Sequence, residues 1–225
     1  MGTGSRRATR KRSTAGVAKP PEVSAREEEI LQAAFDVFTE KGFHGATMLD
    51  VASRARASKA TLYARYPSKE ALFEALMAWA TRQGTDALDA IAADDTLDPL
   101  TALHRLAAQL LALMLQPKKL ALFRIAVAEG DRLSAVGRTY SAFTRDHGME
   151  CVRAIVARLL KQKRIEIDDR AEFGHSFIGL LQGELFTRAL LGTIPSPHRE
   201  EIDRHARRAV TRLMRAYAAS SPRRT

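Results

Sequence analysis

The sequence predicts an all-α protein of about nine helices. Hydrophobic residues recur at helical spacing from about residue 25 to residue 219, and no stretch alternates polar and apolar residues as a half-buried strand does. Glycines and prolines fall between these patterns, where they end helices. With 225 residues, 45% of them hydrophobic, the chain is long enough to bury a substantial core.

Basic charge is concentrated at the two ends of the chain and in one internal patch of a sequence whose formal net charge is +10. Residues 1–24 carry six basic residues against one glutamate, which predicts a disordered basic tail with salt-sensitive DNA affinity. Such a start also resembles a transit peptide, although no hydrophobic face recurs in it. Residues 199–225 carry eight arginines against three acids, and 220–225 form a second predicted tail. Residues 47–69 carry five basic residues against one acid, which favours a polyanionic partner.

Several classes of protein are disfavoured. No apolar run reaches the roughly 18 residues that a membrane helix needs, so no membrane partner is expected. Cys151 is the single cysteine, which excludes an intramolecular disulfide, fits a reducing compartment, and favours a small buried residue. The sequence has no nucleophile–base–acid set, cofactor motif or Gly-rich phosphate loop, so neither an enzyme nor a bound cofactor is expected.

The first two helices have clear starts. Ser24, with Glu27 three residues on, forms a capping box, and Gly42 is expected to end the first helix. Thr47 caps the second helix. Apolar residues at helical spacing predict the buried faces, which comprise Ile30, Ala34, Val37 and Phe38 in the first helix and Met48, Val51, Ala52 and Ala55 in the second.

The third helix is short and the fourth is long. Ser58 caps the third helix, and Pro67 closes it because proline cannot continue a helix. Leu62 and Tyr66, four residues apart, share the face that is predicted to pack on the first two helices. Ser68 caps a fourth helix that is predicted to run unbroken to residue 93.

The rest of the chain is also predicted to be helical. Ser196 is expected to be the N-cap of the last helix, with Pro197 at its first position. The five remaining helices are predicted at 98–116, 118–130, 139–163, 168–192 and 196–219.

Three short helices with a tight turn between the second and third fit a helix-turn-helix unit. On the third helix, Lys59, Ala60, Tyr63 and Ala64 lie opposite the face predicted to be buried. The alanines let a helix approach base edges, and Lys59 can reach guanine O6/N7 or a phosphate. The hydroxyls of Thr61 and Tyr63, and the places of Thr47 and Lys69 at helix starts, favour phosphate contacts. A solvated amphipathic surface is the simpler alternative.

The stretch "GFHGATMLDVASRARASKATLYARYPSKEALFEAL" (42–76) resembles the DNA-binding domain of the tetracycline-repressor (TetR) family of bacterial transcription regulators. The resemblance covers roughly residues 25–80. The C-terminal part is similar to an AefR-like domain through "LFRIAVAEGDR" and "GLLQGELFTRALLG". The matching positions are Gly42, Phe43, Thr47, Asp50, Val51, Ala52, Ala55, Ser58, Leu62, Tyr63, Tyr66, Ser68, Lys69, Glu70 and Leu72.

Two positions depart from the family pattern. The turn before the third helix usually carries Gly-Val, and here it is Arg56-Ala57. Arg56 is therefore expected to adopt a left-handed conformation, which costs on the order of 1 kcal/mol. Leu49 stands where a polar residue is usual, and either packs against a neighbouring helix or stays exposed.

The resemblance implies DNA-contacting roles for eight positions in the DNA-binding domain, which is assigned to residues 25–70. Thr47, Ser58, Thr61, Tyr63 and Lys69 match the family's phosphate-contacting positions, and Lys59, Ala60 and Arg65 match its base-facing or groove-edge positions.

Residues 71–219 are assigned to ligand binding and dimerisation. The resemblance implies a homodimer through 168–192 and 196–219, and Gly179 and Gly183 would allow close helix approach. Apolar stripes in these helices support a dimer, but the same stripes suit the core of a single chain. They comprise Phe177, Leu180, Leu181, Leu185, Ile202, Ala206, Val210, Leu213 and Tyr217.

The resemblance also implies a cavity for a small-molecule effector, and the side chains available suit an apolar or aromatic one. Each candidate is also an ordinary core residue. His147 and His175 lack the paired spacing of a zinc site, so no metal is expected. The candidate lining residues are Trp79, His104, Met114, Phe123, Phe143, His147 and Phe177.

The function that these features predict is a sequence-specific DNA-binding transcriptional regulator. By resemblance it is a cytoplasmic repressor that binds a palindromic double-stranded operator and is released by its effector. The alternative is an architectural protein that binds DNA without sequence preference through its basic ends.

Overall fold

The computed structural model describes residues 23–129 and 134–219, without the side chains of 134–146. The predicted tails, 1–24 and 220–225, therefore lie almost wholly outside the described residues. The described part is all-α, as predicted, and its one β-type pairing is an isolated bridge between Ile165 and Ala218. Its ten helices are α1 (Ala25–Gly45), α2 (Met48–Arg54), α3 (Lys59–Arg65), α4 (Lys69–Arg82), α5 (Asp86–Ala93), α6 (Pro99–Met114), α7 (Pro117–Ala128), α8 (Ser134–Lys161), α9 (Arg170–Leu190) and α10 (Arg199–Ala216).

The N-terminal helices begin where the sequence predicts. The side chains of Ser24, Ser58 and Ser68 each accept a hydrogen bond from a backbone N–H three residues on, which satisfies one of the free donors at a helix start. Thr47 and Asp50 form a complete capping box at the start of α2. In α1 the helical conformation breaks at Gly42 (φ 70°, ψ 169°), so the predicted end at this glycine is confirmed.

The predicted fourth helix is wrong in its length. The structure has two helices there, α4 and α5, because the chain turns at Gly84 with φ +81°. A Cβ at this position would also lie 2.8 Å from Cδ2 of Leu113, so the turn needs glycine for its conformation and for its space. This extra break gives ten helices in place of about nine.

The predicted start of the last helix is also wrong. Its N-cap is His198, and the backbone N–H groups of Glu201 and Ile202 donate to the His198 carbonyl. The helix therefore begins beyond Pro197, and Ser196 caps nothing. The N–H groups of the first turn have no side-chain acceptor from His198.

Two groups of buried side chains organise the molecule. The N-terminal core joins α1 to α4 and takes in Leu122 of α7, and the C-terminal core joins α5 to α10. Helix α4 contributes Leu72, Phe73 and Leu76, each fully buried, to the N-terminal core. The N-terminal core therefore continues past residue 70. No helix in the described ranges is long and apolar enough to cross a membrane.

Helix α7 ties α1 to the rest of the chain through polar contacts at both of its ends. At the start of α7, Lys118 donates to Oε1 of Gln32 at 2.8 Å. At its end, Nε2 of His44 lies 2.8 Å from the largely buried carboxylate of Glu129. These contacts fix the helix-turn-helix unit against the C-terminal helices.

Candidate nucleic-acid interface and effector cavity

Helix α3 has one buried face and one exposed face. Leu62 is fully buried and Tyr66 is 5% exposed, and both belong to the N-terminal core. Lys59, Ala60 and Tyr63 are exposed on the other side. The division into a buried and an exposed face that the spacing of residues predicts is therefore present. The exposed face is free to enter a groove of DNA.

Hydroxyl groups at the starts of α2 and α3 are already hydrogen-bonded. Oγ of Ser58 lies 2.7 Å from Oγ1 of Thr61, and Oγ1 of Thr47 donates to Asp50 at 2.7 Å. Lys41 and Thr47 hold the Asp50 carboxylate in its charged form, and their hydrogen bonds lower its pKa to about 2. Two of the hydroxyls predicted to meet phosphates, those of Thr47 and Ser58, thus also cap helices, and their positions are set before any DNA arrives.

Lys59 and Tyr63 form the exposed centre of α3. Nζ of Lys59 lies 5.7 Å from the centre of the Tyr63 ring, within the range of a cation–π contact. Among the described residues, Lys59 has no carboxylate within 4 Å. None of the described residues therefore neutralises its charge, which leaves the ammonium group available to an anion.

Arg65 is held differently. Its guanidinium lies 3.0 Å from the carboxylate of Glu27 on α1, which also accepts a hydrogen bond from the Tyr66 hydroxyl at 3.2 Å. Burial, and then the charge of Glu27, raise the pKa of Tyr66. Arg65 is exposed, but the ion pair directs it towards α1, so its predicted place at the edge of a groove remains a prediction.

Lys69 faces inward. Its ammonium group donates to the carbonyls of Phe43 at 2.6 Å and Ala46 at 3.0 Å, and lies 4.6 Å from the centre of the Phe43 ring. These contacts satisfy carbonyl groups at the end of α1. The sequence signal for this role is weak, because the carbonyls lie more than 20 residues away along the chain.

The two departures from the family pattern have clear structural outcomes. Arg56 adopts φ 49°, as expected for a residue in the glycine position of the turn. Its carbonyl accepts a hydrogen bond from the guanidinium of Arg26 at 2.9 Å, which fixes the turn to α1. Leu49 is 58% exposed, so of its two expected placements the exposed one is found.

A cavity that opens to solvent lies among helices α4 to α8, and each of these five helices contributes to its wall. Two of the candidate lining residues, Met114 and His147, reach it. The other lining residues were not predicted, because most of them are apolar residues with the spacing of an ordinary helical core. These are Met77, Ala80, Thr81, Thr85, Leu88, Leu110, Leu113, Lys119, Leu122 and Gly148.

The other candidates lie elsewhere. Phe177 is buried in the C-terminal core, and Phe123 packs on Phe186 at 5.7 Å between ring centres. Trp79 packs against the N-terminal core. Burial and the nearby Arg207 lower the pKa of His104, which is not among the residues lining the cavity. The side chain of Phe143 lies outside the described residues.

Lys119 gives the cavity wall one cationic group. Its ammonium donates to the carbonyl of Gln83 at 2.9 Å, and burial lowers its pKa to about 8. A lysine in this setting binds a proton less tightly than in water, and an anionic group in the cavity would stabilise its charge.

The apolar stripes of α9 and α10 are largely internal to the chain. Phe177, Leu181, Leu185, Ile202, Ala206, Val210 and Leu213 are all buried in the C-terminal core, whereas Leu180 and Tyr217 are partly buried. The other face of α9 includes Gly179, which is exposed and has no atom within 4 Å of an added Cβ. A dimer contact on α9 therefore has to use the face that carries Gly179.

Two family models match the chain. Residues 30–76 match the model described as bacterial regulatory proteins of the tetR family, and residues 101–219 match the model described as the C-terminal domain of AefR-like transcriptional repressors. The first covers the helix-turn-helix unit and the start of α4, and the second covers the C-terminal helices.

Curated relatives match over a limited part of the chain. The transcriptional regulator RutR of Escherichia coli K12 is 42% identical over 77 residues, which is 34% of this chain and 33% of RutR. The regulator UidR of the same organism is 44% identical over 48 residues, or 21% of this chain and 24% of UidR. The chain thus matches about a third or less of the length of these relatives.

Solved structures match over nearly the whole fold. A tetR-family regulator from Mesorhizobium loti is 25% identical, with a TM-score of 0.76 over 86% of this chain and 96% of the other. The flavonoid-responsive regulator FrrA is 26% identical, with a TM-score of 0.67 over 88% and 98%. FadR of Bacillus subtilis, solved with stearoyl-CoA, shares the fold at 14% identity, with a TM-score of 0.65 over 83% and 97%.

Proposed function

This chain belongs to the tetR family of bacterial regulatory proteins, which are DNA-binding transcriptional regulators, and we propose that it is a repressor that a small-molecule effector releases from its operator. The observation that carries the DNA-binding role is the exposed face of α3, where Lys59 has no acidic partner among the described residues. A buried Leu62 and a buried Tyr66 hold that face in place.

We propose that two copies of the chain bind one operator. A dimer made by α9 and α10 would place two α3 helices about 34–36 Å apart, one turn of DNA, on a palindromic site. Lys59 and Ala60 would face base edges, while Thr47, Ser58, Thr61 and Tyr63 would meet phosphates. We assign Lys69 chiefly to the joint between α1 and α4, because its ammonium group donates to carbonyls there.

The effector is proposed to enter the cavity among helices α4 to α8. Its wall is mostly apolar, which suits an apolar or aromatic molecule, and Lys119 suits an anionic group at one end. Met77 and Ala80 belong both to this wall and to the N-terminal core. An effector that moved α4 would therefore move the support of α3, provided that it bound the two arrangements with different affinity.

The DNA-binding assignment is tested with the full-length protein and an operator selected from random duplexes. Fluorescence anisotropy would measure affinity for this operator and for a scrambled duplex. We expect Lys59→Ala to weaken operator binding about tenfold or more, since a good base contact contributes about 1–3 kcal/mol. Tyr63→Phe is the matched control, because loss of a phosphate contact would weaken binding on all sequences alike. Unchanged affinity of Lys59→Ala for every duplex would refute the role of Lys59.

An architectural role is the competing function, and the basic charge at both ends of the chain is the observation that favours it. Footprinting on genomic fragments separates the two. Protection of one short inverted repeat supports the regulator, whereas uniform coverage supports the architectural protein.

A further inference from the structure

Three side chains of types that commonly ligate metals, from two helices, meet beside the cavity. Asp89 extends from α5, and His147 and Cys151 extend from one face of α8, four residues apart. Nε2 of His147 lies 3.0 Å from Oδ1 of Asp89, and Sγ of Cys151 lies 3.5 Å from the same oxygen. All three ligand atoms lie within 4.8 Å of one another.

The polar groups of this cluster are poorly satisfied by one another. Nε2 of His147 is buried and has no hydrogen-bond partner among the residues that the structure describes, although the Asp89 oxygen is near, so the two atoms are close without the alignment of a hydrogen bond. A buried nitrogen without a partner is costly. A cation between the imidazole, the carboxylate and the sulfur would satisfy all three groups together.

We propose that Asp89, His147 and Cys151 bind a divalent transition-metal ion of the zinc class. Zinc takes sulfur at about 2.3 Å and imidazole nitrogen at about 2.0–2.1 Å, which places neighbouring ligand atoms roughly 3–4 Å apart. Two of the separations already fall in that range. Thiolate and imidazole select zinc-like ions over magnesium and calcium, which prefer oxygen. The exposed side of Asp89 leaves room for water as a fourth ligand.

The position of this site gives the ion a structural effect. It would clamp α5 to α8, and Leu88, His147 and Gly148 at this junction also line the cavity. Helix α8 packs on α4 in turn. Occupancy of the site would therefore stiffen the cavity wall, and the assignment of the ligands does not depend on what the cavity binds.

Sequence reasoning missed this site. His147 and His175 lack the paired spacing of a zinc site, whereas the second group on α8 is Cys151 and the third comes from a helix more than 50 residues earlier. The pairing of His147 with Cys151 at helical spacing was the signal available in the sequence. Only the fold brings Asp89 to it.

Cobalt(II) provides a direct test, because its complexes with thiolate give a sulfur-to-metal charge-transfer absorption. Cys151 is the chain's single cysteine, so that band in the untagged full-length protein reports on this residue alone. We expect one cobalt ion per chain, displaced by zinc and unaffected by excess magnesium. Absence of the band, with the far-ultraviolet circular dichroism of a folded helical protein, would overturn the proposal.

Substitutions identify the remaining ligands. His147→Gln and Asp89→Asn are expected to weaken zinc binding about tenfold or more in a competition titration with a chromophoric chelator. His175→Gln, at an exposed position of α9, is the matched control and should bind as the wild type does. Cys151→Ser should abolish the cobalt band. Equal zinc affinity of His147→Gln and His175→Gln would overturn the assignment. Both substitutions replace side chains that are exposed or partly exposed, so both variants are expected to fold.

Discussion

The ammonium group of Lys69 illustrates how one side chain joins two helices. It reaches the carbonyls of Phe43 and Ala46 at the end of α1, although it belongs to the first turn of α4. A hydrogen bond from a charged donor to carbonyls that have no helical partner stabilises the fold more than an ordinary surface contact does. The joint between α3 and α4 is therefore anchored to α1 as well as to its own chain neighbours.

Lys69→Met is expected to lower the free energy of unfolding by about 1–3 kcal/mol, because the methionine keeps much of the stem but leaves partly buried carbonyls unpaired. Urea denaturation of wild type and variant measures the change. Lys59→Met is the control, since Lys59 is exposed and has no hydrogen bond to a carbonyl among the described residues. A variant as stable as the wild type would show that water replaces the lysine at no cost.

Lys119 predicts a specific dependence of stability on pH. Burial lowers its pKa from 10.5 to about 8, so between these values the unfolded chain binds a proton that the folded chain has released. Stability from this residue therefore rises as pH increases from about 8 to about 10.5. The advantage of Lys119→Met over wild type should be largest at pH 7–8 and should shrink by pH 10, as measured by urea denaturation at each pH. A difference that stays constant from pH 7 to pH 10 would contradict this.

The residues that cap helices could be predicted from sequence, whereas the partners of long side chains could not. Ser58 and Thr47 act on atoms three residues away, so local spacing identifies them. Contacts with groups 25 to 40 positions away in the sequence are made by Lys69, Arg65 and Arg56, and these partner groups lie at the end or the start of α1. Their partners depend on how the helices pack, and no local pattern records that.

At the scale of the helices, glycines decide where the chain turns. Gly42 has φ 70° and ψ 169°, a conformation that is essentially restricted to glycine. It ends the regular part of α1 and directs the chain towards α2. Gly45, three residues later, has no positive φ, and an added Cβ would meet only Cβ of Lys41 at 3.8 Å.

This pair gives a matched test. Gly42→Ala is expected to lower the free energy of unfolding by about 1–3 kcal/mol, because alanine would be strained at that φ and ψ. Gly45→Ala should leave stability unchanged or raise it by up to about 1 kcal/mol. Thermal and urea unfolding of both variants measure the difference. Equal stabilities would show that α1 can end without the special conformation of Gly42.

Helix boundaries could be predicted where a strong cap coincides with an apolar pattern, and not elsewhere. The break at Gly84 was missed because apolar residues continue at helical spacing across it, and the crowding by Leu113 that favours glycine comes from α6. The start of α10 was placed too early because Ser196 and Pro197 form a good local start signal. The first helical hydrogen bonds form only at His198, so the local signal was not sufficient.

For the molecule as a whole, fold class followed from periodicity, but the use of each apolar face did not. The stripes of α9 and α10 support a dimer or a single-chain core equally well in the sequence, and the structure buries most of them in the C-terminal core. The proposed dimer then depends on the remaining face of α9. Gly179 is its most informative residue, because an added Cβ there would meet no atom of the described residues within 4 Å.

Gly179→Arg tests the dimer directly. Within one chain the arginine has space, so the fold should persist, but two such side chains in an interface would repel each other and prevent close approach. We expect the wild type to be a dimer and the variant a monomer by analytical ultracentrifugation. Ala90→Arg, at an exposed position of α5, is the control and should remain dimeric. If Gly179→Arg also remains dimeric, the interface lies on another surface.

The continuation of the N-terminal core into α4 determines which fragments of the protein can fold on their own. A fragment that stops at residue 70 would lose Leu72, Phe73 and Leu76, which are fully buried in the core that α4 shares with α1. Even a fragment that extends to Arg82 would lack Leu122, and the apolar surface that Leu122 covers would be exposed to water. Helix α3 therefore cannot be separated from the rest of the fold. A shortened polypeptide would expose apolar surface and tend to aggregate, so the DNA affinity of the regulator has to be measured on the full-length chain.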